Sequence, residues 1–137
     1  MSEIEGVGPI MRLSAIVMAL TLAGCGTYDG GGSVYEYSMH YHEMEQRGEM
    51  WVAPDFCGSA CTLGLRNTKV CYLPDTVFVF HCVSSGGKCD KRASEAFKSA
   101  MPAGVQRWAE ATGAFRSTQT VSISGRDLAA IDGRECA

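Results

Sequence analysis

Apolar and polar positions fall into blocks along the chain, and their spacing changes from block to block. Leu13 to Gly24 forms twelve residues without a charge. Val34, Tyr37, Tyr41 and Met44 then recur at three- and four-residue steps, which predicts one face of a helix. Ser33 is placed to cap that helix and Gly48 to end it. Thr27 to Asp29, ahead of the run Gly30-Gly31-Gly32, has room for a stub of strand. Met50 to Ala53 is a short apolar strand stopped by Pro54. Ser59 to Arg66 predicts a short helix broken at Asn67, and Val70 to Leu73 a further strand. Thr76 to Val83 is the clearest strand, rich in β-branched and aromatic residues. Ser84 to Lys91 reads as loop. Ala93 to Met101 and Val105 to Thr112 are helices parted by Pro102, which disfavours helix in the residue before it. Val105, Trp108 and Ala109 give the second a core face, and Gly113 can end it. Thr120 to Ser124 is a last strand, and Gly125 to Ile131 a last helical turn or two. Strands alternate with helices, so the expected fold class is α/β with a small, mostly parallel sheet of four or five short strands and flanking helices.

The first block is too short to span a bilayer, which needs about twenty apolar residues. It suits the apolar core of a secretory signal, with Arg12 ahead of it. It ends in Leu22-Ala23-Gly24-Cys25, which resembles a bacterial lipobox. The expected organisation is therefore a signal peptide over 1–24, a lipidated N-terminus and tether over 25–29, and an α/β domain over 30–137. Glu3 and Glu5 put negative charge where a signal carries positive charge. Met11-Arg12 is the better start, so 1–10 reads as a mis-assigned extension. Attachment to the membrane would rest on acyl chains at Cys25, each buried methylene contributing about 0.8 kcal/mol. Gly26 after the cysteine favours, by resemblance to lipoproteins generally, the outer membrane with the domain in the periplasm.

Composition narrows the class further. The chain has 137 residues, 46% hydrophobic and 20% charged, which suits about one small domain and excludes intrinsic disorder. Twelve Lys and Arg against fifteen Asp and Glu leave no cationic excess to neutralise phosphates, so nucleic acid is not an expected partner. With Cys25 acylated, Cys57, Cys61, Cys71, Cys82, Cys89 and Cys136 remain. An even number in an oxidising compartment points to disulfides. Cys82 and Cys89 flank the turn-rich Val-Ser-Ser-Gly-Gly-Lys, which suggests a local bridge. The other four have no assigned pairing. Zinc is the alternative for Cys57-x3-Cys61, disfavoured by the compartment and by the lack of a second tight pair.

Three pieces could carry chemistry: Gly30-Gly31-Gly32, Cys57-Gly58-Ser59-Ala60-Cys61, and Phe80-His81 at the end of the strongest strand. Ser59 stands where a strand turns into a helix, and its small neighbours allow a sharp turn. A histidine is the usual base for a serine nucleophile, and a glycine loop can turn backbone N–H groups toward an oxyanion. Taken alone, Ser59 would read as a helix N-cap and His81 as a strand-end histidine with a satisfied hydrogen bond. Cys57 to Cys61 echoes papain-type cysteine proteases, but the chain ends too soon for their downstream His and Asn. His42-Glu43-Met44-Glu45-Gln46 echoes the zinc-protease His-Glu-x-x-His with Gln46 in place of the second ligand. His40 and His42 lie about 200° apart around a helix and cannot share a metal. No metal and no cofactor are implied.

In this order, Gly31-Gly32-Ser33-Val34, Ser59-Ala60 and Leu73-Pro74-Asp75-Thr76-Val77-Phe78-Val79-Phe80-His81 resemble the glycine loop, nucleophile turn and pre-histidine strand of the ClpP/crotonase superfamily. Small exported ClpP-like proteins of bacteria and phages are a closer likeness, with Cys-x-Ser-Ala-Cys, Phe-His, then Trp108, Gly113 and the late Cys136. The resemblance covers roughly 30–136. It implies a ClpP/crotonase-like, disulfide-stabilised fold, with Ser59 as nucleophile, His81 as general base, and the Gly31 and Ala60 amides as oxyanion hole. The protease branch places its third triad member before the last strand, where this chain reads Ser117-Thr118-Gln119-Thr120. Asp90, Asp127 and Asp132 fall elsewhere. Loss of that partner can lower the rate about 10⁴-fold. The expected function is thus an exported lipoprotein with a Ser–His site, a serine hydrolase or peptidase on peptide or acyl substrates. The alternative is a non-catalytic ClpP-like periplasmic lipoprotein that binds a partner through its glycine loop and tyrosine-rich helix. The sequence carries no oligomer-interface signature.

Overall fold

The computed structural model describes residues 26–137. The signal segment, the start at 1–10 and the lipidation position Cys25 lie outside the described residues. The main sheet has four strands in the order β1 (Tyr28–Asp29), β3 (Phe56–Gly58), β5 (Val77–Phe80), β8 (Val121–Ser124). The first three run parallel, and β8 closes the sheet antiparallel to β5. An antiparallel edge on a parallel sheet is common in α/β folds. The register sets Cys57 beside Phe78 and Phe78 beside Ile123. Side chains alternate faces along a strand. Phe78 and Phe80 accordingly share the covered face and are buried, while Val77 opposite them is exposed.

Helix α1 (Val34–Gln46) follows the predicted stripe, with the Ser33 hydroxyl accepting the Glu36 N–H at 3.3 Å. Ser59–Arg66 is helical within the expected bounds but of the tighter 3-10 type. Helices α2 (Lys91–Ser99), α3 (Ala103–Thr112) and α4 (Gly125–Asp132) complete the order. Gly113 ends α3 in the left-handed conformation, as its position predicted. The core joins Tyr41, Leu65, Tyr72, Phe78, Phe80, Val105 and Leu128, each large side chain contributing about 1.5–3 kcal/mol by burial.

Four details differ from the sequence reading. The stub at Thr27 to Asp29 belongs to the main sheet as β1, so the folded domain begins before Gly30. Phe56–Gly58 is a strand that the apolar pattern did not mark. The strands expected around Met50 to Ala53 and Val70 to Leu73 shrink to β2 (Trp51–Val52) and β4 (Val70–Cys71), which pair with each other outside the main sheet. Ser84 to Lys91 is a hairpin, β6 (Ser84–Ser85) and β7 (Lys88–Cys89), rather than loop. Its two-residue turn, Gly86-Gly87, has both φ angles positive, the arrangement that matches strand twist in tight hairpins.

All six cysteines of the described residues are paired: Cys57–Cys61, Cys71–Cys136 and Cys82–Cys89. The local bridge expected at Cys82 and Cys89 is present. The Cys57–Cys61 pairing removes the zinc alternative at that spacing. Among the described residues no group of three or more His, Cys, Asp or Glu could hold a metal ion, and no helix is long and apolar enough to cross a membrane.

Candidate active site

Ser59 is the first residue of the 3-10 helix, directly after β3. The helix N-cap is Gly58, and no side chain caps it. The Ser59 hydroxyl is therefore not spent on capping. Among the described residues Ser59 is the one non-glycine with positive φ, at 54°. A β-carbon in this conformation costs about 1–2 kcal/mol, and such strain clusters at functional turns. Two links hold it there. The Cys57–Cys61 disulfide closes a ring of five residues with Ser59 at its centre. The Thr62 hydroxyl donates to the Ser59 carbonyl at 2.7 Å.

The glycine loop lies directly against this turn. A β-carbon on Gly31 would stand 2.6 Å from the Gly58 oxygen, 2.6 Å from Ser59 Cβ and 2.9 Å from the Ala60 nitrogen. Only glycine permits that approach, and its φ of 86° also favours glycine. The Gly31 N–H is already engaged, donating to Asp29 Oδ1 at 2.9 Å. The donor expected there for an oxyanion is thus held by a carboxylate. Gly32, next in the chain, lines the cavity described below. Ala60 lies in the first helical turn, where amides lack intrahelical partners.

His81 immediately follows the last residue of β5 and is half-buried. Its Nδ1 contacts the Cys82 carbonyl oxygen at 2.6 Å. A carbonyl only accepts, so this contact places the ring proton on Nδ1 and leaves Nε2 free as a base. Among the described residues no carboxylate does this work. Asp90 caps α2 through the Ala93 N–H at 2.9 Å. Asp132 is held by Tyr72 at 3.1 Å and Arg134 at 2.7 Å. Asp127 lines a separate hollow with Trp108 and Ser124, not the cavity that holds His81.

One cavity of about 290 Å³ brings the pieces together. It is lined by Gly32, Ser33 and Val34 from the loop, by Ser59 and Thr62, and by Phe80, His81, Cys82 and Val83, with Phe97 and Phe115 among its walls. Ser59 and His81 face the same space but are not hydrogen-bonded to each other. Its walls carry no charged side chain besides the imidazole when that is protonated. Phe80, Phe97 and Phe115 give the walls apolar surface and Ser33, Thr62 and Ser84 give them hydroxyls, so fixed dipoles are the groups these walls offer to a developing charge.

Sequence reasoning missed Asp29. Its Oδ1 accepts the Tyr37 hydroxyl at 2.6 Å as well as the Gly31 N–H. The hydrogen bond to Asp29, with burial, pushes the Tyr37 phenol up to about 12, so the hydroxyl remains a donor at neutral pH. The signal was available only as an aspartate two residues before a glycine, a spacing shared by many turns. His40 and His42 are both exposed on α1 and take no part in the cavity. Comparison with protein-family models, with curated proteins and with solved structures gives no match.

Proposed function

We propose that this chain is an exported lipoprotein with a ClpP-like fold whose Ser59–His81 site acts as a serine hydrolase on peptide or acyl substrates. The observation that carries the reading is the left-handed Ser59 at a strand-to-helix turn, opening on the cavity that His81 also lines. In this scheme the Ser59 hydroxyl oxygen bonds to a substrate carbonyl carbon while its proton passes to His81 Nε2. The carbonyl oxygen becomes an oxyanion, held by the Ala60 amide and by the glycine loop. With the Gly31 N–H taken by Asp29, the loop donor is Gly32. Collapse of the intermediate breaks the bond to the leaving group, which takes the proton from His81. Water then releases the acyl group from Ser59 by the same steps in reverse order. The Cys82 carbonyl substitutes for a triad acid in fixing the tautomer, but offers no negative charge to the imidazolium. Turnover is therefore expected to be slower than with a buried carboxylate partner, which would stabilise the imidazolium that forms.

A specific observation supports the second reading, a non-catalytic periplasmic lipoprotein of the same fold: Ser59 and His81 are not hydrogen-bonded, and among the described residues no carboxylate reaches the ring. Catalytic hydrogen bonds are often long in unliganded sites and tighten with substrate, which keeps the enzyme reading first. A fluorophosphonate probe separates the two. Labelling of the wild type but not of Ser59→Ala or His81→Ala supports the hydrolase. A folded wild-type protein that takes no label leaves the binding role.

Export is supported by the three disulfides, which fit an oxidising compartment, while the lipid anchor at Cys25 rests on the lipobox resemblance of Leu22-Ala23-Gly24-Cys25. Mass measurement of the membrane-extracted protein tests this: a diacylglycerol adduct on Cys25, lost in Cys25→Ala, is the expected result.

A further inference from the structure

We infer that Asp29 is the positioning residue of this site, its carboxylate holding the glycine loop in place against the Ser59 turn. The inference rests on the hydrolase reading and extends it to a residue outside the Ser–His pair. Asp29 ends β1 and stands in register with Cys57, one arm of the disulfide ring around Ser59. A single oxygen of its side chain takes two donors from different elements: the Gly31 N–H of the loop at 2.9 Å and the Tyr37 hydroxyl of α1 at 2.6 Å. Strand, loop and helix therefore meet at one atom.

The consequence for Ser59 is steric. Gly31 packs so closely on Gly58, Ser59 and Ala60 that no β-carbon fits between them. A small shift of the loop thus changes the space beside the nucleophile and the location of the Gly32 amide. Besides this packing, the hydrogen bond of the Gly31 N–H to Asp29 is what holds the loop there. Among the described residues Asp29 has no cationic partner, so its anchoring role depends on accepting hydrogen bonds rather than on charge. That distinction makes the idea testable, because asparagine keeps the acceptor oxygen and loses the charge.

The test compares fluorophosphonate labelling rates of wild type, Asp29→Ala, Asp29→Asn and Tyr37→Phe, each checked for folding by thermal melting. Asp29→Ala is expected to slow labelling by about tenfold to a hundredfold, the range for misplaced catalytic groups. Asp29→Asn should restore most of the rate, and Tyr37→Phe should lie between. Hydrogen exchange at the Gly31 amide should accelerate in Asp29→Ala and return toward the wild-type rate in Asp29→Asn. Labelling of Asp29→Ala at the wild-type rate overturns the inference, as does a folded Asp29→Asn that labels no faster than Asp29→Ala. A wild-type protein that takes no label removes the hydrolase reading itself, and the positioning role with it, before any Asp29 variant is measured.

Discussion

Ser59 combines a conformation that disfavours a side chain with a side chain that could do chemistry. Comparing two substitutions separates the two properties. Ser59→Ala removes the hydroxyl but keeps the β-carbon at φ 54°, whereas Ser59→Gly removes both. Ser59→Gly should therefore be the more stable of the pair by about 1 kcal/mol in urea unfolding, the usual size of left-handed strain less the entropy of a glycine. Equal stabilities would mean that the turn stores no strain. The neighbouring glycines make a second comparison. On Gly31 a β-carbon meets three atoms within 2.9 Å, but on Gly32 it finds nothing nearer than the Tyr37 ring at 3.5 Å. Gly31→Ala should cost about 2–4 kcal/mol through overpacking and backbone strain, while Gly32→Ala stays within about 1 kcal/mol of wild type. Ser59, His81 and the glycine run were legible in the sequence because residue type and order carried them. Asp29 was not, because its partners lie two and eight positions away and only the fold makes both meet one oxygen.

At the level of elements, legibility followed length. Helix α1 announced itself through thirteen residues of periodicity and a serine cap. Strand β3 has three residues, one of them Gly58, too few for a period-two pattern to register. The hairpin β6–β7 was hidden because Ser, Gly and Lys say nothing about pairing, and the Cys82–Cys89 bridge supplies what side-chain packing does not. The 3-10 helix presents a different case, since its stability is borrowed. It is short, and the 3-10 form has poorer hydrogen-bond geometry than an α-helix. Its C-terminal end is held by Arg134, which donates to the Leu65 carbonyl at 2.6 Å and the Asn67 carbonyl at 2.7 Å, with Asp132 fixing the guanidinium at 2.7 Å. Arg134→Ala leaves Leu65, a fully buried residue, with one carbonyl partner fewer. It should destabilise the protein by about 2–3 kcal/mol, the range for hydrogen bonds to a charged group. Arg134→Lys cannot span both carbonyls and Asp132 in one planar fork, so it should recover only part of the loss in the same denaturant titration.

For the whole molecule, the three disulfides divide between stability and site, and chain topology says which does which. Cys71–Cys136 spans 65 positions, against 4 for Cys57–Cys61 and 7 for Cys82–Cys89. Closing the long loop restricts the unfolded chain by about 4 kcal/mol, and each short one by about 2 kcal/mol, in the chain-entropy account. It also ties the C-terminal segment to β4, beside the Tyr72–Glu135 bridge and the Arg134 contacts. Replacing Cys71 and Cys136 together by serine should therefore lower the melting temperature most. The folded fraction of that variant should still label at Ser59, because neither cysteine lines the cavity. Replacing Cys57 and Cys61 by serine should behave oppositely, with a smaller fall in melting temperature and a large fall in labelling per folded molecule, because the ring that holds Ser59 at positive φ has opened. The two measurements, melting and labelling normalised to folded protein, are made on the same samples. If both double variants lose labelling only in proportion to unfolding, the ring around Ser59 is a stability element like any other, and the turn's geometry is set by the sheet and the Gly31 contact instead.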